Sequence, residues 1–204
     1  IGSYLYKYLI KNKKQLTEKN RSIPNILLVY AKNKKKKRNF TIPKKKWAKN
    51  FDEIIKNKKI DLIVELIGGS EGAAKNLVFK ALNHKKHVVT ANKALIAKYG
   101  DQLAKIAEKN RVNFEFEASV CGGVPVIRSI KEGLIANKIN KIYGIFNGTS
   151  NYILSSMDKD KQDFLDVLKR AQNLGYAESN PLTDLNGDDV SAKLKILSSL
   201  CFNS

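Results

Sequence analysis

The sequence contains few residues that could form cross-links or cross a membrane. Its two cysteines, Cys121 and Cys201, are far apart and outside any CxxC pattern, so we expect neither a disulfide framework nor a zinc site. No apolar run approaches the roughly 18 residues that a membrane helix needs. The first residues also lack the basic start and the cleavage site of a signal peptide. We therefore expect a cytoplasmic protein with free thiols and no membrane partner.

Acidic residues are also scarce, and the formal net charge is +19. Such a charge is typical of nucleic-acid-binding proteins, because Lys and Arg neutralise phosphates. However, only five of the 38 basic residues are arginine, the residue that base readout favours. The dense basic run at residues 34–38 contains no aromatic side chain for base stacking. We expect no nucleic-acid partner, and a basic binding module is kept as the non-enzymatic alternative.

Apolar segments alternate with amphipathic ones along the first three-fifths of the chain. Strands are predicted at 25–31, 62–67, 88–90 and 112–117. Helices are predicted between them, at 3–12, at 51–57, after Ser70 as the N-cap, and at 94–109. A series of βαβ units forms a parallel sheet covered on both faces. The sequence therefore predicts an α/β fold that begins with a Rossmann-like parallel-sheet domain.

Gly122, Gly123 and Pro125 interrupt this alternation and mark a domain boundary. Beyond them the pattern predicts helices at 126–134, after Asn151, at 163–174 and over the last residues, and a strand at 139–146. Gly175 is expected to follow the helix at 163–174 as its C′ residue. The predicted domains are residues 1–124 and residues 125–204, the second of them α+β.

Glycine and lysine residues follow the predicted strands, at the edge where open α/β sheets bind ligands. Gly2 precedes the first helix as the last glycine of a GxGxxG turn would, although one such glycine is usually only a turn residue. Gly68 follows the second strand. Lys93 follows the third and begins a helix, where the dipole disfavours a cation. Lys32 follows the first strand and can accept the 2′-phosphate of NADP, with a solvated basic loop as the alternative.

Five segments resemble successive signatures of the homoserine dehydrogenase family, in the family's order and close to its spacing. They are ELIGG, VVTANKALIAKYGDQLA, FEASVCGGVPVIRSIKEGL, GIFNGTSNYIL and GYAESNPLTDLNGDDVSAKLKIL. The resemblance is continuous over residues 61–200, and several long motifs in register are far more specific than one short pattern. It implies an NAD- or NADP-dependent oxidoreductase that interconverts L-homoserine and L-aspartate 4-semialdehyde, on the route to threonine, methionine and isoleucine.

The resemblance also implies an assembly and a domain role. It implies a homodimer or homotetramer in which residues 125–204 belong to the catalytic and dimerisation domain. It further implies that the chain is incomplete, without the first Rossmann strand and the C-terminal part. The alternative enzyme is another Rossmann oxidoreductase that acts on an amino-acid-derived aldehyde, which would share the GYAE and DDVSAK segments by accident.

Asp189 and Lys193 lie four residues apart in a predicted helix, and therefore on one face of it. Hydride transfer at a carbon that bears oxygen needs a group that exchanges the hydroxyl proton, and the substrate amine needs carboxylates. Lys193 fits the first role, and Glu178 and Asp189 fit the second, matching the family's active-site Lys, Glu and Asp. A surface ion pair is the alternative. Lys93 could be the neighbouring cation that a lysine acid/base requires.

The segment EASVCGGV resembles the family's loop for a monovalent cation. By position, the sodium ligands would be Glu117, Val120, Gly122 and Val124. Oxygen ligands suit a hard cation, although the local residues alone predict only a tight turn where the chain leaves a strand. The same resemblance implies that Gly175 lies near the nicotinamide of the cofactor.

Lys32 provides a test of the cofactor assignment. In the complete protein, Lys32→Glu should raise the KM for NADPH more than the KM for NADH, because the new carboxylate repels the 2′-phosphate that only NADPH carries. Steady-state kinetics with both cofactors measure the two values. Equal changes in the two KM values would show that Lys32 belongs only to a solvated loop.

Overall fold

A computed structural model of the protein describes residues 1–20 and 24–202. The chain divides into two units, the first made of Ile1–Asn92 and Asp101–Glu115 and the second of Lys93–Gly100 and Phe116–Ser204. The helix Lys93–Asn110 thus contributes residues to both units. The domain bounds that the sequence predicts, 1–124 and 125–204, stay a prediction.

The first unit is built around a parallel sheet. Its strands are β1 (Leu62–Glu65), β2 (His87–Thr90) and β3 (Phe114–Glu115), which pair side by side in that order. Ile63 lies opposite Val88, and Val88 lies opposite Phe114. All three side chains are buried, and they share one face of the sheet because residues opposite each other on neighbouring strands point the same way. The sheet confirms the predicted α/β class with a Rossmann-like first domain.

Helices alternate with these strands as the sequence predicts. They are α1 (Gly2–Lys11), α2 (Lys13–Lys19), α3 (Phe51–Lys56), α4 (Ala73–Asn83) and α5 (Lys93–Asn110), with a 3₁₀ turn at Lys44–Lys46. α4 packs on β1 and β2. It does so because its apolar residues recur at helical spacing, which buries Ala74, Leu77, Val78, Ala81 and Leu82.

Two sequence predictions for the first unit are wrong. Ser70 does not cap α4, since Gly72 is the N-cap and its φ of +67° places it outside the helical region. Residues 25–31 do not form a strand, and among the described residues they pair only through a bridge between Val29 and Trp47. An apolar run favours an extended backbone, but a strand also needs a neighbour over several residues.

The second unit is helical over the described residues. Besides the start of α5, it contains a 3₁₀ turn at Glu117–Ser119, α6 (Val126–Arg128) with a π-helical turn at Ser129–Gly133, α7 (Gly148–Asp160), α8 (Phe164–Asn173), α9 (Leu182–Leu185) and α10 (Asp188–Phe202). α7 and α8 pack around a small core of Ile153, Val167, Ala171 and Ala177. Within residues 1–20 and 24–202, no helix is long and apolar enough to cross a membrane.

The strand predicted at 139–146 does not form, so this prediction is wrong. Its alternating apolar residues leave Tyr143 82% exposed and Ile145 64% exposed. Alternation specifies which side chains share a face, but it does not supply the hydrogen-bonded neighbour that a strand needs. In addition, α7 begins at Gly148 and not after Asn151, because the side chain of Asn147 caps it.

The prediction that Gly175 follows α8 as its C′ residue is confirmed. Gly175 has a φ of +79°, and its N–H donates to the Gln172 carbonyl at 3.0 Å. The N–H of Tyr176 donates to the Ala171 carbonyl at 2.9 Å. These two bonds form a Schellman motif, which needs a left-handed residue at this position and so favours glycine.

Leu82 tests the packing of α4 on the sheet. Its side chain is fully buried, so Leu82→Ala should lower the free energy of unfolding by about 2–5 kcal/mol, through lost apolar contacts and the cavity left behind. Ile10→Ala in α1, where the side chain is 54% exposed, should change it by less than about 0.5 kcal/mol. Urea denaturation followed by circular dichroism measures both values. Equal losses of unfolding free energy in the two variants would contradict the packing of α4 on the sheet.

Candidate active site

Asp189 holds together a cluster of polar side chains in the second unit. It lies in the first turn of α10, where the helix dipole favours an acidic residue. Its Oδ2 accepts hydrogen bonds from Lys193 Nζ at 2.8 Å and from Asn147 Nδ2 at 2.9 Å. Its Oδ1 forms an ion pair with Lys93 Nζ. The Asp189 side chain is only 10% exposed, so both cations bind a largely buried carboxylate.

The surroundings of Asp189 keep it ionised. Burial acts to raise the pKa of the carboxyl, but the hydrogen bonds from Lys193, Lys93 and Asn147 outweigh it and lower the pKa from 3.8 to about 2. The group is therefore fully charged near neutral pH. The site thus carries a negative charge between two lysines.

Lys193 reaches Asp189 because the two residues lie on one face of α10, as their spacing predicts. Its Nζ also donates to the Phe146 carbonyl at 2.8 Å. An ammonium group has three hydrogens, so the third has no partner among the described residues. The side chain is 18% exposed. Lys193 therefore presents one free N–H from a largely buried position.

Lys93 is the first residue of α5, where the helix dipole disfavours a cation. A lysine at this unfavourable position is expected to have a function, and its ammonium group forms an ion pair with Asp189. This ion pair offsets the unfavourable position on the helix. Lys93 and Lys193 are therefore brought to the same carboxylate, which agrees with the expectation that Lys93 neighbours Lys193.

Two residues that the sequence analysis missed, Asn147 and Asp184, extend the cluster. Besides its bond to Asp189, Asn147 Nδ2 donates to Asp184 Oδ1 at 2.8 Å. Thr149 Oγ1 lies 3.0 Å from Asp184 Oδ2 and 2.7 Å from the Tyr176 carbonyl. Asp184 lies in α9, within a segment whose turn-forming residues indicate only a loop. The one available signal was an acidic residue five positions before Asp189.

Glu178 and Gly175 take no part in these hydrogen bonds. Glu178 is exposed, and its carboxylate has no hydrogen bond or ion pair with any residue of the described ranges. Its backbone carbonyl accepts from Gln172 Nε2 at 3.2 Å. A Cβ added at Gly175 would meet no atom within 4 Å. Among the described residues, no hydrogen bond or ion pair joins Glu178 to Lys193 or Asp189, and its carboxylate is available for a ligand.

The Glu117 carboxylate holds the start of the next helical segment. Its two oxygens accept from the backbone N–H groups of Ile127 at 2.9 Å and Arg128 at 2.8 Å. Over residues 1–20 and 24–202, no group of three or more His, Cys, Asp or Glu side chains is suited to a metal ion. A cation in this loop would therefore depend on Glu117 together with backbone oxygens, for which the sequence predicts Val120, Gly122 and Val124.

In the first unit, two glycines follow β1 at the carboxyl edge of the sheet. Gly68 and Gly69 have φ values of +87° and +81°, and a Cβ added at either would meet no atom within 4 Å. A Cβ added at Gly2, the first residue of α1, would lie 3.8 Å from the Leu66 side chain. Lys32 is exposed. The open backbone at the two glycines fits a ligand that approaches closely.

Comparisons with known proteins agree on one family. Residues 1–117 match the family model described as "Homoserine dehydrogenase, NAD binding domain", and residues 125–204 match the model described as "Homoserine dehydrogenase". The homoserine dehydrogenase of Neisseria gonorrhoeae is 48% identical to this chain over 162 residues. The match covers 79% of this chain and 37% of that protein.

Solved structures give the same result. The Staphylococcus aureus homoserine dehydrogenase crystallised at pH 8.5 has a TM-score of 0.84 and 37% identity, covering 100% of this chain and 48% of that one. A hyperthermophilic archaeal homoserine dehydrogenase in complex with NADPH has a TM-score of 0.69 and 30% identity, covering 76% of this chain and 48% of that one. This chain spans less than half the length of each of these relatives.

Asp189 should make stability depend on pH in the acid range. Its pKa is about 2 in the folded protein and 3.8 ordinarily, so its stabilising contribution is complete above about pH 4 and is lost as the pH falls toward 2. The shift corresponds to about 2 kcal/mol. Between pH 5 and pH 2, the unmodified protein should therefore lose about 2 kcal/mol more unfolding free energy than Asp189→Asn does.

Asp188→Asn is the matched control, because Asp188 neighbours Asp189 in the same helical turn but is exposed. Among the described residues, its carboxylate accepts a hydrogen bond only from Asn186. The unfolding free energy of Asp188→Asn should depend on pH as that of the unmodified protein does. Denaturation curves at several pH values give the comparison. If Asp189→Asn and Asp188→Asn showed the same pH dependence, the ion cluster would not stabilise the fold.

Proposed function

Since the chain belongs to the homoserine dehydrogenase family, we propose that the complete protein interconverts L-homoserine and L-aspartate 4-semialdehyde with NAD(P)(H). This reaction would serve threonine, methionine and isoleucine biosynthesis. The observation that carries the proposal is the position of Lys193: Asp189 and Phe146 bind two of its ammonium hydrogens, and within the described part of the chain the third has no partner. Reaction at a carbon that bears oxygen needs one such group to exchange the hydroxyl proton.

Lys193 is the proposed acid/base. In the direction of reduction it donates a proton to the aldehyde oxygen as that oxygen gains negative charge, and in the direction of oxidation its amine accepts the hydroxyl proton. Asp189 Oδ2 and the Phe146 carbonyl each lie 2.8 Å from Nζ, so the remaining hydrogen has a restricted direction. When bound, the nicotinamide supplies or accepts the hydride.

Glu178 and Asp189 are the proposed partners of the substrate amine. The Glu178 carboxylate is exposed, so it can pair with an ammonium group without losing a bond to the described part of the protein. Asp189 already accepts from Lys93, Lys193 and Asn147. Its charge therefore attracts the amine while it continues to hold the two lysines, since a carboxylate has about four lone-pair positions.

The cofactor is proposed to bind at the carboxyl edge of the parallel sheet, as in other open α/β folds. The open backbone at Gly68 admits a dinucleotide, and Gly2 lies at a helix N-terminus, which favours phosphate groups. Lys32 is exposed and can meet a 2′-phosphate, which favours NADP, with NAD as the alternative. The archaeal relative with bound NADPH supports this assignment. Lys93, which follows β2 at the start of α5, is also proposed to contact the cofactor. The family resemblance implies the same for Gly175.

A sodium ion is proposed to bind in the loop that begins at Glu117. Over residues 1–20 and 24–202, each oxygen of this carboxylate accepts one hydrogen bond, from a backbone N–H, which leaves a further lone pair for a cation. Backbone oxygens of Val120, Gly122 and Val124 would complete the set. Oxygen donors of this kind suit a hard monovalent ion, so the residues fit the proposal.

The complete protein is proposed to be a cytoplasmic homodimer or homotetramer. The second unit exposes large apolar side chains, with Ile135 79% and Tyr143 82% exposed, and apolar surface of this kind is typical of subunit interfaces. Both cysteines are free thiols, which suits a reducing compartment.

Lys193→Ala tests the acid/base assignment in the complete protein. Removal of the amine should lower kcat by about 10²- to 10⁴-fold, because proton exchange with the substrate oxygen is lost. The Kd for NADPH should change little, since Lys193 is not proposed to bind the cofactor. Steady-state kinetics and fluorescence titration measure the two effects.

Lys195→Ala is the matched control, because Lys195 lies on the same helix but is exposed. Its kcat should be normal. A near-normal kcat for Lys193→Ala would remove this lysine from the mechanism, and equal losses for both variants would indicate damage to α10 instead.

A further inference from the structure

Glu65 is a fully buried acidic residue at the end of β1, and the proposed reaction gives it no role. A buried carboxylate is tolerated only when hydrogen bonds replace its contacts with water. Its Oε1 accepts from the backbone N–H groups of Ile67 at 2.6 Å and Gly68 at 3.1 Å. Its Oε2 accepts from Thr90 Oγ1 at 2.5 Å. The carboxylate thus joins the end of β2 to the loop that follows β1.

Thr90 extends this connection to the other side of the glycine pair. Its Oγ1 accepts from the Asn92 N–H at 3.0 Å, and Asn92 Nδ2 donates to the Gly69 carbonyl at 2.8 Å. The network therefore binds the N–H of Gly68 and the carbonyl of Gly69. Glycine backbones have many accessible conformations, so these bonds select the left-handed one that both residues adopt.

We propose that Glu65 is a positioning residue for dinucleotide binding: with Thr90, its carboxylate holds the backbone of Gly68 and Gly69 in the conformation that admits NAD(P). The inference rests on the proposed function, in which Gly68 binds the cofactor. If a loop adopts its binding conformation only part of the time, its apparent Kd is the intrinsic Kd divided by the fraction of molecules in that conformation, so binding is weaker. The network keeps this fraction high before the cofactor arrives.

The chemistry of each partner explains why this pair suits the task. A glutamine at position 65 has one amide oxygen in place of two carboxylate oxygens, so it cannot accept both from Thr90 Oγ1 and from the backbone N–H groups of Ile67 and Gly68. A valine at position 90 would keep the shape of threonine but remove the hydroxyl. Serine there would keep the hydroxyl. These substitutions therefore separate the hydrogen bond from the packing of β2.

The test is the Kd for NADPH of the complete protein, measured by fluorescence titration. Thr90→Val and Glu65→Gln should each raise the Kd by about 10-fold, because the loop loses the bonds that fix it. Thr90→Ser should stay within about twofold of the unmodified protein. Without cofactor, the amide hydrogens of Ile67 and Gly68 should exchange faster in Glu65→Gln than in the unmodified protein.

Val88→Ala is the control for stability, because Val88 is buried in the same strand but lies outside the network. It should destabilise the protein and leave the Kd near normal. The proposal is overturned if Thr90→Val binds NADPH normally, or if Val88→Ala weakens binding as much as Thr90→Val does. If the unmodified protein does not bind NADPH, the proposed function itself fails, and the positioning role fails with it.

Discussion

The arrangement of the candidate active site depends on the carboxylate of Asp189. Lys93 at the start of α5, Lys193 in α10 and Asn147 before α7 are far apart in the sequence, and they meet at its two oxygens. Without this charge the two ammonium groups would repel each other in a partly buried place. Loss of one partner from a buried charge pair leaves the other uncompensated, which costs more than the pair itself contributes. The positions of both lysines therefore follow from one acidic side chain.

The first unit uses a buried carboxylate in a different way. Within residues 1–20 and 24–202 no cation pairs with Glu65, and its carboxylate accepts from backbone N–H groups and a hydroxyl. These donors exist because the chain leaves the sheet after β1, so the N–H groups of Ile67 and Gly68 have no strand partner there. An acid at the last strand position can satisfy both N–H groups through one of its oxygens. The irregular loop thus acquires a defined backbone without regular secondary structure.

The sequence predicts the contacts that depend on local spacing and misses those that depend on the tertiary fold. The i,i+4 contact between Asp189 and Lys193 follows from helix geometry, and the position of Gly175 after α8 follows from how helices end. In contrast, Asn147 meets Asp184 across 37 positions, which no periodicity indicates. Glu65 stands within an apolar run and therefore looks like an ordinary strand residue. The strand expected at 139–146 does not form for a related reason, since a pattern within one segment does not specify the neighbouring strand with which it would pair.

Charge alone does not identify the functional lysines of this chain. The 38 basic residues outnumber the 19 acidic ones, and most lysines are exposed, where salt screens their charge over about 8 Å. Lys193 differs because its side chain is 18% exposed and bound to a carboxylate. In such surroundings charges interact several times more strongly than in water. In the proposed reaction, the exposed lysines attract an anionic cofactor only when it is already near the surface, whereas the Asp189 cluster determines which oxygen receives a proton.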